Sequence, residues 1–237
     1  REDSNGDGER SHGGVARVSA GGMSIPVVTF ATVALTVAAS VTAFRFAAFR
    51  ERFLFRVGAI IRKRELHRLV TPLILHGDWV HLAFNMFSFY SFSAQMEAVF
   101  GPSMIAAVYF SSGIVGNLLA LASQRKRPDY SALGASGAVA GIIFASIFML
   151  PGGSVYVFPL PMAIPAWAFA LLFMAVSLYG IGRGGDGIGH EAHLGGALSG
   201  IACAIIHDHS IIQREPLLLA VLVVPSAALL VWFIARR

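Results

Sequence analysis

The protein has 237 residues, of which 56% are hydrophobic and only 13% are charged. A soluble globular domain carries about 25% charged residues, so this composition excludes an average soluble enzyme. The modest net charge of +5, in a chain this apolar, excludes a disordered or nucleic-acid-binding basic protein. Cys203 is the single cysteine, which excludes a disulfide framework and a multi-cysteine zinc site. The composition predicts an integral membrane protein.

The chain begins with a polar stretch and continues with seven apolar segments. Residues 1–24 are rich in glycine, serine and charge and lack apolar periodicity, so we predict a disordered tail. A membrane-spanning helix needs about 20 mostly apolar residues. We predict such helices, in an all-α membrane protein, at residues 25–44, 79–100, 103–122, 135–150, 162–179, 192–206 and 217–235. The fourth and sixth segments are short, which is typical of helices that begin below the membrane surface at a water-filled depression.

Residues 45–72, between the first two predicted spans, alternate phenylalanine and arginine at roughly helical spacing. This pattern predicts a helix in the membrane interface, with phenylalanine toward lipid and arginine toward phosphates. A soluble basic loop fits poorly with so many phenylalanines.

The positive charges are distributed unevenly between the two sides of the predicted bundle. With seven spans, fourteen Lys and Arg residues lie on one side and four on the other. The larger group comprises eight in residues 45–72, three in 123–134, Arg183 and the last two residues. The positive side is predicted to face the cytoplasm or the mitochondrial matrix.

Ionisable side chains within spans are costly, so they are candidates for function. The stretch HGDWVHLAFN places His81 and Asn85 four residues apart, on one helical face. The stretch SALGASGAVAG opens the fourth span with Ser136, and GHEAHLGGALSG places His193 at the start of the sixth. For His76 we expect a structural hydrogen bond inside the bundle rather than a catalytic role.

These residue types fit nucleophilic attack on an amide. A serine becomes a nucleophile when a neutral imidazole accepts its proton, and the oxyanion that develops needs hydrogen-bond donors. Ser136 begins a helix, where unpaired N–H groups lie beside its hydroxyl. His193 is the candidate base, and His81 and the Asn85 amide are candidate oxyanion donors. Since Glu191 would point elsewhere on its helix, we predict a Ser–His dyad rather than a triad.

Small residues on the fourth and sixth spans form two faces of the small-xxx-small type. Gly137 and Gly141 lie on one helix, and Gly196 and Gly200 lie on the other. If these faces meet, the two backbones approach closely and bring the serine and the histidine within hydrogen-bond reach. Taken alone, such glycines indicate only helix packing.

A metal site and a transporter are the main alternatives from other chemical classes. His190 and His193 are three residues apart, but GHEAH does not match H-E-x-x-H and has no third ligand nearby. We therefore predict neither a metal nor a cofactor. A transporter with histidine proton relays would require repeated, broken helices in matching halves, and the sequence has no such symmetry.

Taken together, these motifs resemble those of the rhomboid family of intramembrane serine proteases. HLAFN is similar to the family's H-x-x-x-N, GASG to its nucleophile motif, and AHLGGALSG to A-H-x-x-G-x-x-x-G, in the family's order. The similarity covers residues 25–207, a protease core with its first loop at 45–72. The stretches SFYSFS, YFSSGIVGN, LGASGA and HLGGALSGI resemble most the mitochondrial, presenilin-associated rhomboid-like branch.

The resemblance implies a six-helix transmembrane bundle, here followed by one additional helix at residues 215–235. It implies that Ser136 is the nucleophile and His193 the general base. It places His81, Asn85, Gly134 and Ala135 in the oxyanion and substrate-binding region, with the backbone amide of the serine as a further donor.

Three features depart from the family pattern. His67 stands where many members have tryptophan before Arg68. Ala140 stands where bacterial members often have a tyrosine that stacks on the histidine, so other contacts would have to orient His193. The extra helix follows the core, whereas the mitochondrial branch usually adds one before it.

The resulting expectation is a serine endopeptidase that cleaves transmembrane segments of membrane proteins, with the lipid bilayer as its medium and no nucleic-acid partner. The mitochondrial inner membrane is the favoured location. The alternative is a non-catalytic rhomboid-like protein that binds membrane clients. Retention of both Ser136 and His193 argues against it.

Overall fold

The computed structural model describes residues 25–156, 162–181 and 189–235 as a mostly helical chain. The predicted tail, residues 1–24, lies outside these ranges. The helices are α1 Val27–Arg45, α2 Ala47–Phe53, α3 Val57–Lys63, α4 Trp79–Phe100, α5 Pro102–Gln124, α6 Ser136–Met149, α7 Ala166–Gly180, α8 His190–His207, α9 Ile211–Arg214 and α10 Pro216–Ala235. Two antiparallel strand pairs connect them: β1 Phe55–Arg56 with β2 Ser131–Ala132, and β3 Ser154–Tyr156 with β4 Ala163–Pro165.

Helix α6 is the centre of the fold. It packs against α4, α5 and α8, and its residues from Gly137 to Phe148 are all buried. At 1.5 Å per residue its 14 residues extend about 21 Å, which is less than the roughly 30 Å of a bilayer core. A helix enclosed on all sides by other helices does not contact lipid, so it needs no full-length apolar surface.

Each of the seven predicted spans coincides with a helix, with ends that differ by up to four residues. Within the described ranges, two of these helices, α1 and α5, are long and apolar enough to cross a membrane by length and composition. Helices α6, α7 and α10 are shorter apolar helices, and α4 carries a polar face with Asn85, Ser93 and Glu97 buried. The count of seven crossings therefore stays a prediction.

The prediction of one interfacial helix at residues 45–72 is wrong. The segment folds as α2, β1, α3 and two 3₁₀ turns, Leu66–Leu69 and Thr71–Ile74. Phe55 is 1% exposed because β1 pairs with β2 and turns this ring into the protein. The guanidinium of Arg68 is also buried and donates to the carbonyl oxygens of Glu51 and Leu54 and to the carboxylate of Glu65. The alternation of phenylalanine and arginine thus serves several short elements rather than one face.

A buried carboxylate joins α4 to the start of α1. Glu97 accepts hydrogen bonds from the backbone N–H groups of Val28 and Thr29, both at 2.8 Å, and lies 2.7 Å from the Thr29 hydroxyl. The first N–H groups of a helix have no partner within the helix, and a negative charge is favourable at that end. Glu97 therefore serves as the N-terminal cap of α1, supplied from another helix.

Candidate active site

Ser136 is the first residue of α6 and follows a short connection from β2. Pairing of β2 with β1 fixes where this connection starts, and the Gly134 N–H fixes its end by donating to the carbonyl oxygen of Pro72 at 3.2 Å. Because the first N–H groups of a helix lack acceptors within it, the hydroxyl of Ser136 lies beside backbone donors and the positive end of the helix dipole.

The imidazole of His81 lies directly against this connection. Gly134 has a φ of +140°, in the region that favours glycine. A Cβ atom at this position would lie 2.8 Å from Cε1 and 3.0 Å from Nε2 of His81, and 3.7 Å from Oγ of Ser136. Glycine is thus required here by both conformation and space. The histidine ring and the serine hydroxyl flank the same glycine.

Asn85 lies one turn beyond His81 on α4 and is 4% exposed. Its Nδ2 atom donates to the His81 carbonyl oxygen at 3.0 Å. An amide nitrogen carries two hydrogens, so a second donor remains beyond this bond. The start of α4 is held by Asp78, whose carboxylate accepts from the His81 N–H at 2.8 Å, a typical N-cap.

Glycines hold α6 and α8 in backbone contact next to the serine. A Cβ atom on Gly196 would lie 3.0 Å from Cα of Gly137, and one on Gly200 would lie 2.7 Å from Cα of Gly141. A Cβ atom on Gly137 would lie 3.0 Å from the carbonyl oxygen of Ala192. Gly137 directly follows Ser136 and Ala192 directly precedes His193 in the chain, so their contact places both side chains at the same level of the bundle.

The ring of His193 packs against Phe173 of α7. Their ring centroids are 5.6 Å apart with an interplanar angle of 40°, and Phe173 is itself held by Phe144 of α6 at 5.5 Å. Ala140, on α6, has no aromatic ring that could stack on His193. The contact expected to orient the histidine therefore comes from a different helix, α7, which the sequence analysis did not identify.

Glu191 precedes His193 by two residues, and its carboxylate binds α5. It accepts hydrogen bonds from Ser123 Oγ at 3.0 Å and from Gln124 Nε2 at 2.6 Å. This carboxylate is therefore held by two side chains of the neighbouring helix α5. His190 and His193 have ring centroids 6.2 Å apart, and the described part of the chain has no group of three His, Cys, Asp or Glu side chains placed to hold a metal ion.

Ser136, His193, His81 and Asn85 all line one cavity of about 720 Å³. Its walls are apolar rings from α4 and α7, among them Phe84, Phe92, Phe169 and Phe173. A site of this kind is mostly apolar with a few convergent polar groups, as substrate sites generally are.

Comparison with known proteins identifies the fold. The family model for the rhomboid domain matches residues 63–209. The chain belongs to the rhomboid family. It is 33% identical to the human presenilin-associated rhomboid-like protein, mitochondrial, over 157 residues, which cover 63% of this chain and 41% of that protein.

Two further matches cover shorter parts of the chain. Rhomboid protein 1, mitochondrial, of Saccharomyces cerevisiae is 29% identical over 129 residues, 53% of this chain and 37% of that protein. A Bacillus subtilis relative is 37% identical over 86 residues, 36% of this chain and 42% of that protein. The chain spans about four-tenths of the length of the curated relatives it matches. The mitochondrial relatives and the apolar helices support a mitochondrial membrane protein.

Proposed function

We propose that this rhomboid is an intramembrane serine endopeptidase in which Ser136 and His193 form the catalytic dyad. The observation that carries the proposal is the glycine contact between α6 and α8, at Gly137 with Gly196 and at Gly141 with Gly200. Backbone contact at this level brings the start of α6 against the first turns of α8. The side chains of Ser136 and His193 line one cavity together with His81 and Asn85.

In the proposed reaction the Oγ atom of Ser136 attacks the carbonyl carbon of the scissile peptide bond while His193 accepts the hydroxyl proton. The negative charge on the carbonyl oxygen is stabilised by the Ser136 N–H, the His81 imidazole and the free Asn85 donor. The C–N bond then breaks, and His193 gives its proton to the leaving amine. Water hydrolyses the acyl-enzyme by the same steps, with His193 as base.

The substrate class follows from the walls of the cavity. Phe84 and Phe92 on α4 and Phe169 and Phe173 on α7 all line it, and these apolar walls suit a transmembrane segment of another protein. The segment must unwind locally to expose a carbonyl, so small or helix-breaking residues near the cut are expected. We propose a six-helix bundle of α1 and α4 to α8 in the inner mitochondrial membrane, with α10 as one additional crossing.

The site also suits binding without cleavage. A non-catalytic rhomboid that holds membrane clients would use the same apolar cavity, with no chemistry at Ser136. Activity therefore has to be tested with a change that removes only the hydroxyl.

The test compares the wild-type protein, Ser136→Ala and Ser146→Ala in liposomes that contain single-span helices with small residues near one end. Ser146 is the matched control because it lies on the same helix and lines the same cavity, and its hydroxyl donates to the Ile143 carbonyl oxygen at 2.8 Å. We expect cleavage by the wild type and by Ser146→Ala and none by Ser136→Ala. Binding of the helices by all three proteins without cleavage would favour the client-binding alternative, and equal cleavage by all three would refute the dyad.

A further inference from the structure

His76 is fully buried between α1 and the connection that leads to Ser136. It lies between the 3₁₀ turn Thr71–Ile74 and the start of α4. The proposed mechanism does not use it. A histidine without solvent contact needs partners for both ring nitrogens.

Both ring nitrogens have partners, and these partners determine the tautomer. The Ala135 N–H donates to Nε2 of His76 at 3.5 Å. A backbone N–H can only donate, so Nε2 is the unprotonated nitrogen and Nδ1 carries the hydrogen. Nδ1 lies 3.0 Å from Oγ of Ser40 on α1, and the Ser40 hydroxyl in turn lies 3.2 Å from the Ile74 carbonyl oxygen, its acceptor. The Ala135 N–H, the Nδ1–H of His76 and the Ser40 hydroxyl therefore each have one acceptor.

The same ring also touches His81. The centroids of the two imidazoles are 4.9 Å apart and the rings are nearly perpendicular, at 81°. His76 therefore contacts two parts of the proposed oxyanion site at once: the peptide N–H directly before Ser136 and the side chain of His81. Both contacts use the neutral ring.

We propose that His76 is a positioning residue that holds the Ala135 peptide and the His81 ring in the geometry of the oxyanion site. This inference rests on the proposed function. A shift of about 1 Å at a reacting group can cost about a hundredfold in rate, so a bond that fixes the peptide next to the nucleophile has a large effect without touching the substrate. The contact between Ser40 and His76 thereby connects α1 to the proposed oxyanion site.

The charge state of His76 agrees with this role. Burial, and to a lesser extent the neighbouring His81, lower the pKa of His76 to about 3, while Asp78 opposes the shift. Ser40 on α1 and the Ala135 backbone add no charge. The ring is thus neutral at physiological pH, as an acceptor for the Ala135 N–H must be.

Two amide substitutions separate the two hydrogen bonds of His76. In His76→Gln the side-chain oxygen ends near the position of Nε2 and can accept from the Ala135 N–H. In His76→Asn the shorter side chain ends near the position of Nδ1 and can reach Ser40 but not Ala135. Both variants remove the imidazole ring and carry an uncharged amide in its place, so they form a matched pair.

For cleavage of the single-span helices we expect kcat of His76→Asn to fall about tenfold or more with KM within about twofold, because the substrate contacts are unchanged. His76→Gln should stay within about threefold of the wild-type kcat. Similar losses in both variants, together with lowered thermal stability, would mean that His76 only fills space, and a change confined to KM would also overturn the proposal.

A second measurement does not depend on proteolysis. Hydrogen–deuterium exchange at the Ala135 amide should be slow in the wild type and in His76→Gln and faster in His76→Asn. Equal exchange in all three proteins would overturn the positioning role even if the protease is active. The protein could also show the expected order of exchange rates and yet cleave no substrate. That result would support the hydrogen bond between His76 and Ala135 and would refute only the proposed function.

Discussion

Replacement of Gly196 by alanine tests whether the contact between α6 and α8 sets the geometry of the proposed dyad of Ser136 and His193. The new Cβ atom would meet backbone on α6, 2.7 Å from the carbonyl carbon of Gly137 and 3.0 Å from its Cα. Carbon atoms pack best at about 3.5–4.0 Å, so the helices must separate by about 1 Å. A backbone cannot rotate away as a side chain can, and Ser136 moves with its neighbour.

The expected magnitudes distinguish geometry from stability. Overpacking costs about 1–3 kcal/mol, and alanine regains about 1 kcal/mol over glycine within a helix, so the net loss of unfolding free energy is about 0–2 kcal/mol. A displacement of about 1 Å at the nucleophile costs about a hundredfold in rate. Activity should therefore fall far more than stability.

The assay measures kcat for a single-span substrate in liposomes together with the thermal unfolding midpoint. Gly153→Ala is the control, because a Cβ atom there would lie 3.6 Å from the Leu150 carbonyl oxygen, an ordinary contact. We expect kcat of Gly196→Ala to fall by about a hundredfold and that of the control to stay unchanged. If Gly196→Ala cleaves at the wild-type rate, the glycine contact does not position the dyad.

Three further predictions concern residues around the site. Glu97→Ala leaves two helix N–H groups without a partner and should lower the unfolding free energy by about 2–4 kcal/mol, measured by chemical unfolding. The surface pair of Glu51 with Arg56 is the comparison, since its loss should cost less than about 1 kcal/mol; equal effects would contradict the capping role. Phe173→Leu removes the ring that packs on His193, the proposed general base, and should lower kcat by about tenfold or less. Because Phe173 also lines the cavity, a rise in KM with kcat unchanged would limit the ring to substrate binding. Since the folded pKa of His76 is about 3 and the ordinary value is 6.5, the unfolded chain binds an extra proton between these values. Stability should then fall as the pH drops from 6.5 to 3, and less so in His76→Gln; identical pH profiles from thermal unfolding would contradict the buried neutral ring.

The helices were predictable because apolar runs of the right length are a local property of the sequence. The predicted bounds 79–100 agree with α4 at both ends; in the structure Asp78 supplies the N-cap and Gly101, with a φ of +84°, ends the helix. Residues 45–72 were not predicted correctly. Several short helices and one long helix give the same periodicity in the sequence. The segment is divided by the pairing of β1 with β2, in which Arg56 pairs with Ser131, 75 residues further along the chain.

Some polar residues of the site could likewise be predicted from the sequence, and others could not. His81 and Asn85 share a helical face by spacing alone, and the glycine faces indicated which helices would meet. The partners of Glu97 and His76 could not be predicted from spacing, because each bonds to an element distant in the chain. A lone carboxylate in an apolar helix was the signal for Glu97, since such a group needs a buried partner.

The most direct test of the central claim is reaction of the protein with a fluorophosphonate, which modifies only an activated serine. The probe is applied in liposomes to the wild type, to His193→Ala and to His207→Ala, and the modified peptide is identified by mass spectrometry. His207 is the control because it ends the same helix and packs on Phe100, with ring centroids 5.3 Å apart. We predict modification of Ser136 in the wild type and in His207→Ala and its loss in His193→Ala. Modification of Ser136 that persists in His193→Ala, or that is absent from the wild type, would contradict the dyad.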